Sequence, residues 1–148
     1  MKELKLTLFG AYTYNIVENS QYLPTSVWAN GQAYKGTKKR ESLLGNMMLT
    51  YKKNWRKHFF DALALAEVQK ETYTGYYTTV TNFSTDKFGY NNLQAGALRL
   101  WEGTNSYYEQ PRLASFMGRF NYTYADRYIL TLNARTDASS KFGSNHKW

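Results

Sequence analysis

Residues 113–136 read LASFMGRFNYTYADRYILTLNART, and this stretch decides the fold class. Ala114, Phe116, Gly118, Phe120, Tyr122 and Tyr124 form one alternate set. Ser115, Arg119, Asn121 and Thr123 form the other, with Leu113 and Met117 as apolar exceptions. After Ala125-Asp126-Arg127 the alternation resumes, with Tyr128, Leu130, Leu132 and Ala134 against Thr131, Asn133, Arg135 and Asp137. Side chains of a strand point to opposite faces with period two, so each half is a strand with one apolar and one polar face. Two such strands joined by so short a connection predict an antiparallel hairpin.

The same reading extends toward the N-terminus. Leu4, Leu6, Leu8, Gly10, Tyr12, Tyr14 and Ile16 alternate with Lys5, Thr7, Phe9, Ala11, Thr13 and Asn15. Leu43, Gly45, Met47, Leu49 and Tyr51 alternate with Asn46, Thr50 and Lys52. Residues 58–71 set Phe60, Ala62, Ala64, Ala66 and Val68 against Asp61, Glu67 and Gln69. Their Ala, Leu and Glu content also suits a helix, but the short connection before them and the neighbouring strands favour a strand. Strands are therefore expected near 4–16, 42–53, 58–71, 112–125 and 127–138. Residues 17–41 and 73–111, rich in Asn, Gly, Ser, Thr and Tyr, read as long loops. Short and long connections alternate, as they do in outer-membrane barrels with short periplasmic turns and long extracellular loops. The expected fold is all-β: an antiparallel up-and-down meander of about five long strands, part of a transmembrane β-barrel, with two long extracellular loops.

Composition supports this class. Among 148 residues there are 14 Tyr, 8 Phe and 4 Trp but two Pro, a balance that suits pleated sheets. Mean hydropathy is −0.64, and no run approaches the roughly 18 apolar residues of a spanning helix; the alternating strands of a membrane barrel score as polar on average. The absence of cysteine excludes disulfides, thiol catalysis and Cys-based zinc sites. The net charge of +8 gathers in Lys35, Lys38, Lys39, Arg40 and in Lys52, Lys53, Arg56, Lys57, which are read as solvated connections rather than a nucleic-acid surface. The first of these clusters could meet lipid phosphates. The N-terminus lacks the apolar core and cleavage site of a signal peptide, so an upstream segment is expected.

The run from Leu113 to Leu130 resembles the barrel of the SusC/RagA family, which carries a pattern L-x-S-x-x-G-R-x-N-Y-x-Y-x-D-[RK]-Y-[IL]-L. Residues 135–148, RTDASSKFGSNHKW, resemble the stretch that follows it there. Ala138 stands where the family usually has Gly, which would cost steric strain if that position took a positive φ. The resemblance implies a large TonB-dependent outer-membrane importer of oligosaccharides or peptides, in a Gram-negative, Bacteroidota-like envelope. It further implies a SusD-like surface lipoprotein as lid, the TonB complex engaged through parts outside this chain, outer-membrane lipid around the barrel, and no cofactor. On this reading residues 1–148 are a partial barrel without plug domain, signal peptide or closure.

No catalytic constellation is present: His58 and His146 lack ligand spacing, and Asp61 and Glu67 read as solvated carboxylates. Trp28, Tyr34, Tyr76, Tyr77, Tyr90, Trp101, Tyr107 and Tyr108 fall in the expected loops, where aromatic faces can stack on sugars, contact the lid or pack the loops. Arg119, Asn121, Asn133, Arg135 and Asp137 are expected to face the lumen, mostly in cross-strand ion pairs or plug contacts. Trp55, Tyr12, Tyr14, Tyr122, Tyr124 and Tyr128 suit interface girdles. A soluble β-rich carbohydrate-binding module is the alternative; it would have to hide its apolar strand faces in a core of its own.

Overall fold

The computed structural model describes residues 3–143. His146 and the end of the second motif lie outside the described residues. The strands are β1 (Leu4–Leu23), β2 (Gln32–Trp55), β3 (His58–Phe83), β4 (Gly96–Glu109), β5 (Arg112–Tyr124) and β6 (Tyr128–Ser139). They form one sheet in the order β1-β2-β3-β5-β6, with β4 also paired to β3. Two 3-10 turns, Gly89–Asn91 and Leu93–Ala95, precede β4. No helix among the described residues is long and apolar enough to cross a membrane, which says nothing of strands.

The expected strand over 58–71 is present as the first half of β3, with no helix there. The expected loops are largely strand. β1 continues to Leu23 and β2 starts at Gln32, so the first connection shrinks to 24–31; β3 continues to Phe83 and β4 starts at Gly96, so the second shrinks to 84–95. The basic cluster from Lys35 to Arg40 thus lies within β2. These extensions are polar and aromatic on both faces, so they lack apolar alternation although backbone hydrogen bonds still build the ladder. The count of six against about five reflects Pro111. β4 and β5 pair antiparallel with β3 in one register, Tyr73↔Glu109 and Lys70↔Arg112, and the Glu71 N–H donates to the Pro111 carbonyl between them at 2.9 Å. Proline lacks the amide a ladder needs, which splits one strand path in two.

By packing, the chain separates into two units, one of residues 3–13, 42–71 and 111–143, the other of 14–41 and 72–110. In the first unit the register carries the sequence pattern across the sheet. Phe60↔Tyr122 and Tyr122↔Leu130 are direct partners, as are Ala62↔Phe120 and Phe120↔Leu132. Leu63↔Arg119 and Arg119↔Asn133 fall on the opposite face. Phe116, Phe120, Tyr122, Leu130 and Leu132 therefore share one face, with Arg119, Asn133 and Arg135 on the reverse. The buried hydrophobic residues among those described are Ala33, Val80 and Phe83, and all belong to the second unit. The first unit is a single layer in which Leu132, Leu130 and Phe116 remain about half exposed.

The short connections are tight. Ala125 and Asp126 both have positive φ, 51° and 55°, and the Arg127 N–H donates to the Tyr124 carbonyl at 3.1 Å. Positive φ at both central residues matches the right-handed twist of the flanking strands. Ala138 has no positive φ; it sits in extended backbone of β6 opposite Ala114, so the substitution for Gly carries no strain.

Candidate functional site

The polar face of the first unit gathers charges in pairs. The Lys52 ammonium lies 3.0 Å from an Asp61 carboxylate oxygen, across β2 and β3. Asn46 donates to Glu67 at 3.5 Å on the same pair of strands. Arg135 binds Asp137 through Nε at 3.0 Å and Nη2 at 3.0 Å, and Nη2 also reaches the buried Ser115 hydroxyl at 3.5 Å. This pair lies along one strand, two residues apart, where the sequence suggested cross-strand pairs. Arg119 stands directly opposite Asn133, and Asn121 opposite Thr131. All five candidate residues of β5 and β6 thus share one face.

The reverse face ends, beside the short turns, in an aromatic belt. The His58 ring lies 5.0 Å from Tyr124 and 6.0 Å from Trp55, Phe60 lies 5.0 Å from Tyr122, and Tyr124 lies 6.4 Å from Tyr128. His58 Nδ1 and the Tyr122 hydroxyl are 2.7 Å apart. Rings with one apolar and one wet end suit the boundary between hydrocarbon and water. Of the residues the sequence suggested for such a girdle, Trp55, Tyr122, Tyr124 and Tyr128 cluster here with His58 and Phe60, whereas Tyr12 and Tyr14 lie within β1, which runs on to Leu23.

In the second unit the candidate aromatics divide. Tyr34 and Tyr77 face each other at 6.0 Å, over Gly36, where a β-carbon would meet Tyr77 at 2.9 Å. The Tyr107 side chain covers Gly75. Arg40 lies over the Tyr73 ring at 5.6 Å, a cation–π arrangement. Bare glycines let tyrosine rings lie flat across the sheet, a device no apolar periodicity reveals.

A groove of about 710 Å³ brings Tyr76, Tyr77 and Trp101 together, with Arg99, Gln94 and Asn105 as polar groups. A bulge shapes it. Tyr77 pairs with Asn105 and Thr79 with Leu100, so the β4 residues 101–104 oppose Thr78 alone. Thr104 Oγ1 donates to the Leu100 carbonyl at 2.9 Å and lies 3.0 Å from Thr78 Oγ1, while Gly103 sits against Thr79. Bulges re-aim side chains, and Trp101 is turned outward, 81% exposed. Trp28 lies in the 24–31 turn and Tyr90 in the first 3-10 turn, both away from this groove; Tyr108 accepts from Gln110 at 3.0 Å.

Sequence reading missed the tie between the connections. Tyr22 donates to Asp86 at 2.7 Å, and the Thr25 amide and hydroxyl donate to the same carboxylate at 3.0 and 2.8 Å. Tyr22 packs edge-on against Phe83 at 5.4 Å, beside Ala33 and Val80. Partial burial and the Asp86 carboxylate push the Tyr22 hydroxyl up to about 12, and the Tyr22 and Thr25 donors hold the Asp86 carboxyl below its ordinary range. Tyr22 and Asp86 are 64 residues apart, so no local motif announces them. Among the described residues no cluster of His, Cys, Asp and Glu could hold a metal ion.

No protein-family model matches the chain. Its sequence is 32% identical over 146 residues to TonB-dependent receptor P3 of Formosa agariphila, covering 96% of this chain and 14% of that receptor. It is 36% identical over 91 residues to TonB-dependent receptor P26 of the same organism, covering 62% and 9%. A structure of the RagAB peptide transporter superposes with a TM-score of 0.86 at 23% identity, over 99% of this chain and 17% of that one. The RagAB peptide importer in its open-open state gives 0.84 at 22%, with the same coverage. The chain thus spans about a seventh of the length of receptor P3. The named relatives are receptors and transporters, none an enzyme. Its sequence and its fold together assign the chain to the TonB-dependent receptors, as a stretch of outer-membrane β-barrel with the RagA architecture.

Proposed function

We propose that the chain forms part of the wall of a TonB-driven importer of bulky nutrients, oligosaccharides or peptides, acting with a SusD-like lipoprotein. The observation that carries this reading is the two-faced single layer of the first unit. A soluble module would bury its apolar face, at roughly 1.5–3 kcal/mol for each large side chain hidden from water. Here that face stays open while the reverse is polar and charged, the division a barrel needs between lipid and lumen. On this reading Arg119, Asn121, Asn133, Arg135 and Asp137 line the lumen. The Tyr76–Tyr77–Trp101 groove, with Trp28 on its own turn, offers flat aromatic surface to cargo or lid on the extracellular side.

The test uses the full-length receptor with Trp101→Ala and, separately, Trp28→Ala. Uptake, cargo binding and association with the lipoprotein are measured in parallel. Loss of cargo binding alone assigns the residue to cargo, and loss of lipoprotein association assigns it to the lid. Three normal readouts for Trp101→Ala would remove the groove from the transport surface.

A further inference from the structure

We propose that the groove beside Trp101 selects sugars that carry a negative charge, a carboxylate or a sulfate, and that Arg99 is the residue that reads it; this rests on the reading of the groove as a cargo surface. Arg99 and Trp101 lie two residues apart on β4, and both line the groove of about 710 Å³. A second hollow, of about 350 Å³, shares Val80, Leu93, Gln94, Arg99 and Trp101 with the first. The cation and the indole therefore stand at the junction of two spaces, as neighbouring rings of a saccharide chain require. Volumes of this order suit small-molecule sites, roughly 300–1,000 Å³. Arg99 is the one charged residue on the walls of either hollow among the described residues. Its direct partner across the ladder is the buried Val80, which offers no acceptor. No hydrogen bond or ion pair occupies its guanidinium among the described residues. A planar fork left open in this way matches two oxygens of one anionic group.

The remaining walls suit a sugar ring. Trp101 and Tyr76 are exposed, which leaves aromatic faces open to the apolar side of a ring. The Asn105 side-chain oxygen accepts from the Ser106 amide at 2.8 Å, so the Asn105 amide nitrogen remains to donate. Ser106 and Gln94 add a hydroxyl and a second amide to the same walls. An extended peptide would instead add to a free strand edge through main-chain bonds. Here Tyr76, Tyr77, Thr79 and Val80 already pair with β4, and the groove offers side chains. Lys35, Lys38 and Lys39 of β2 belong to the same unit, and a basic neighbourhood raises the local concentration of an anion.

The experiment uses the full-length receptor in detergent and reads dissociation constants by saturation-transfer NMR. The probes are methyl glucuronide, glucose 6-sulfate, the neutral methyl glucoside and the peptide trialanine. Wild type is expected to bind at least one charged sugar about tenfold more tightly than methyl glucoside, the worth of one charge-assisted pair. The preference should shrink as salt is raised. Arg99→Gln should abolish the preference and leave methyl glucoside binding in place, while Arg99→Lys, which keeps the charge without the fork, should retain part of it. Arg99 dependence for the glucuronide alone, or for the sulfate alone, names the group that is read. Equal binding of charged and neutral sugars by wild type overturns the proposal, as does a preference unchanged in Arg99→Gln. Trialanine bound more tightly than either charged sugar, with the same dependence on Arg99, overturns it in favour of a peptide carboxylate. Trp101→Ala separates the two failures. If it weakens sugar binding while no charge preference exists, the charge selection alone falls; if it changes the binding of no probe, or wild type binds none, the cargo reading of the groove falls with it.

Discussion

Tyr107 lies across Gly75 so closely that a β-carbon added to Gly75 would meet the tyrosine at 2.7 Å. The atoms met are the far end of a side chain that can swing, so Gly75→Ala should displace the ring at a cost below about 1 kcal/mol. Gly96→Ala differs. Its β-carbon would strike the buried Val80 side chain and come within 3.0 Å of the Thr81 carbonyl oxygen. Overpacking of this kind costs about 1–3 kcal/mol. Gly118→Ala meets nothing within 4 Å and should be neutral or slightly stabilising. Thermal unfolding of the three full-length variants in detergent orders them.

The Tyr22–Asp86–Thr25 tie should be intact across a wide pH window and open at both ends. The Asp86 pKa is lowered on folding, so its contribution is present above the ordinary carboxylate value and is lost as pH falls below about 4 through the lowered folded value. The Tyr22 pKa is raised, so its contribution is present below about 10 and is lost as pH rises toward about 12. Proteolytic nicking within 24–31 and 84–95, followed against pH, should rise at both limits. Asp86→Asn should flatten the acid limb.

The turn at Ala125 holds a non-glycine residue at φ 51°. The left-handed region costs an L-residue roughly 1–2 kcal/mol, and glycine escapes it. Ala125→Gly should raise the unfolding midpoint by the equivalent of about 1 kcal/mol, and Ala125→Val should lower it. Equal midpoints for all three would show that the flanking ladder alone sets this turn.

Leu132 and Asn133 are neighbours on opposite faces of β6. Leu132→Arg should cost about 2–4 kcal/mol if it meets the bilayer midplane, whereas Asn133→Arg should cost little. Urea unfolding in lipid vesicles checks both. Similar losses at the two positions would remove the division into lipid and lumen faces.

The legible part of this chain is the part in which one face is apolar. Phe116, Phe120, Leu130 and Leu132 announce strand, register and turn together, because a slip by one residue would exchange the faces. The parts of β1, β2 and β3 that belong to the second unit carry no such contrast. Lys35 to Arg40 read as a connection, yet they sit in a strand held by backbone pairing and by Arg40 over Tyr73. The candidate aromatics were visible as residue types. Their grouping was not, because the bulge at 101–104 that turns Trp101 outward depends on Gly103 lying against Thr79 of another strand.

A wall one layer thick has a consequence for how such a protein changes over generations. In a packed core, a new side chain must be matched by its neighbours in volume. In the first unit the two faces never interlock, since alternate residues of β5 and β6 look away from each other. Asn133 or Arg119 can therefore be exchanged for another polar group without repacking Leu132 or Phe120. If the apolar face meets lipid, it answers to a solvent that asks for little beyond greasiness, and the polar face is left free to drift on its own.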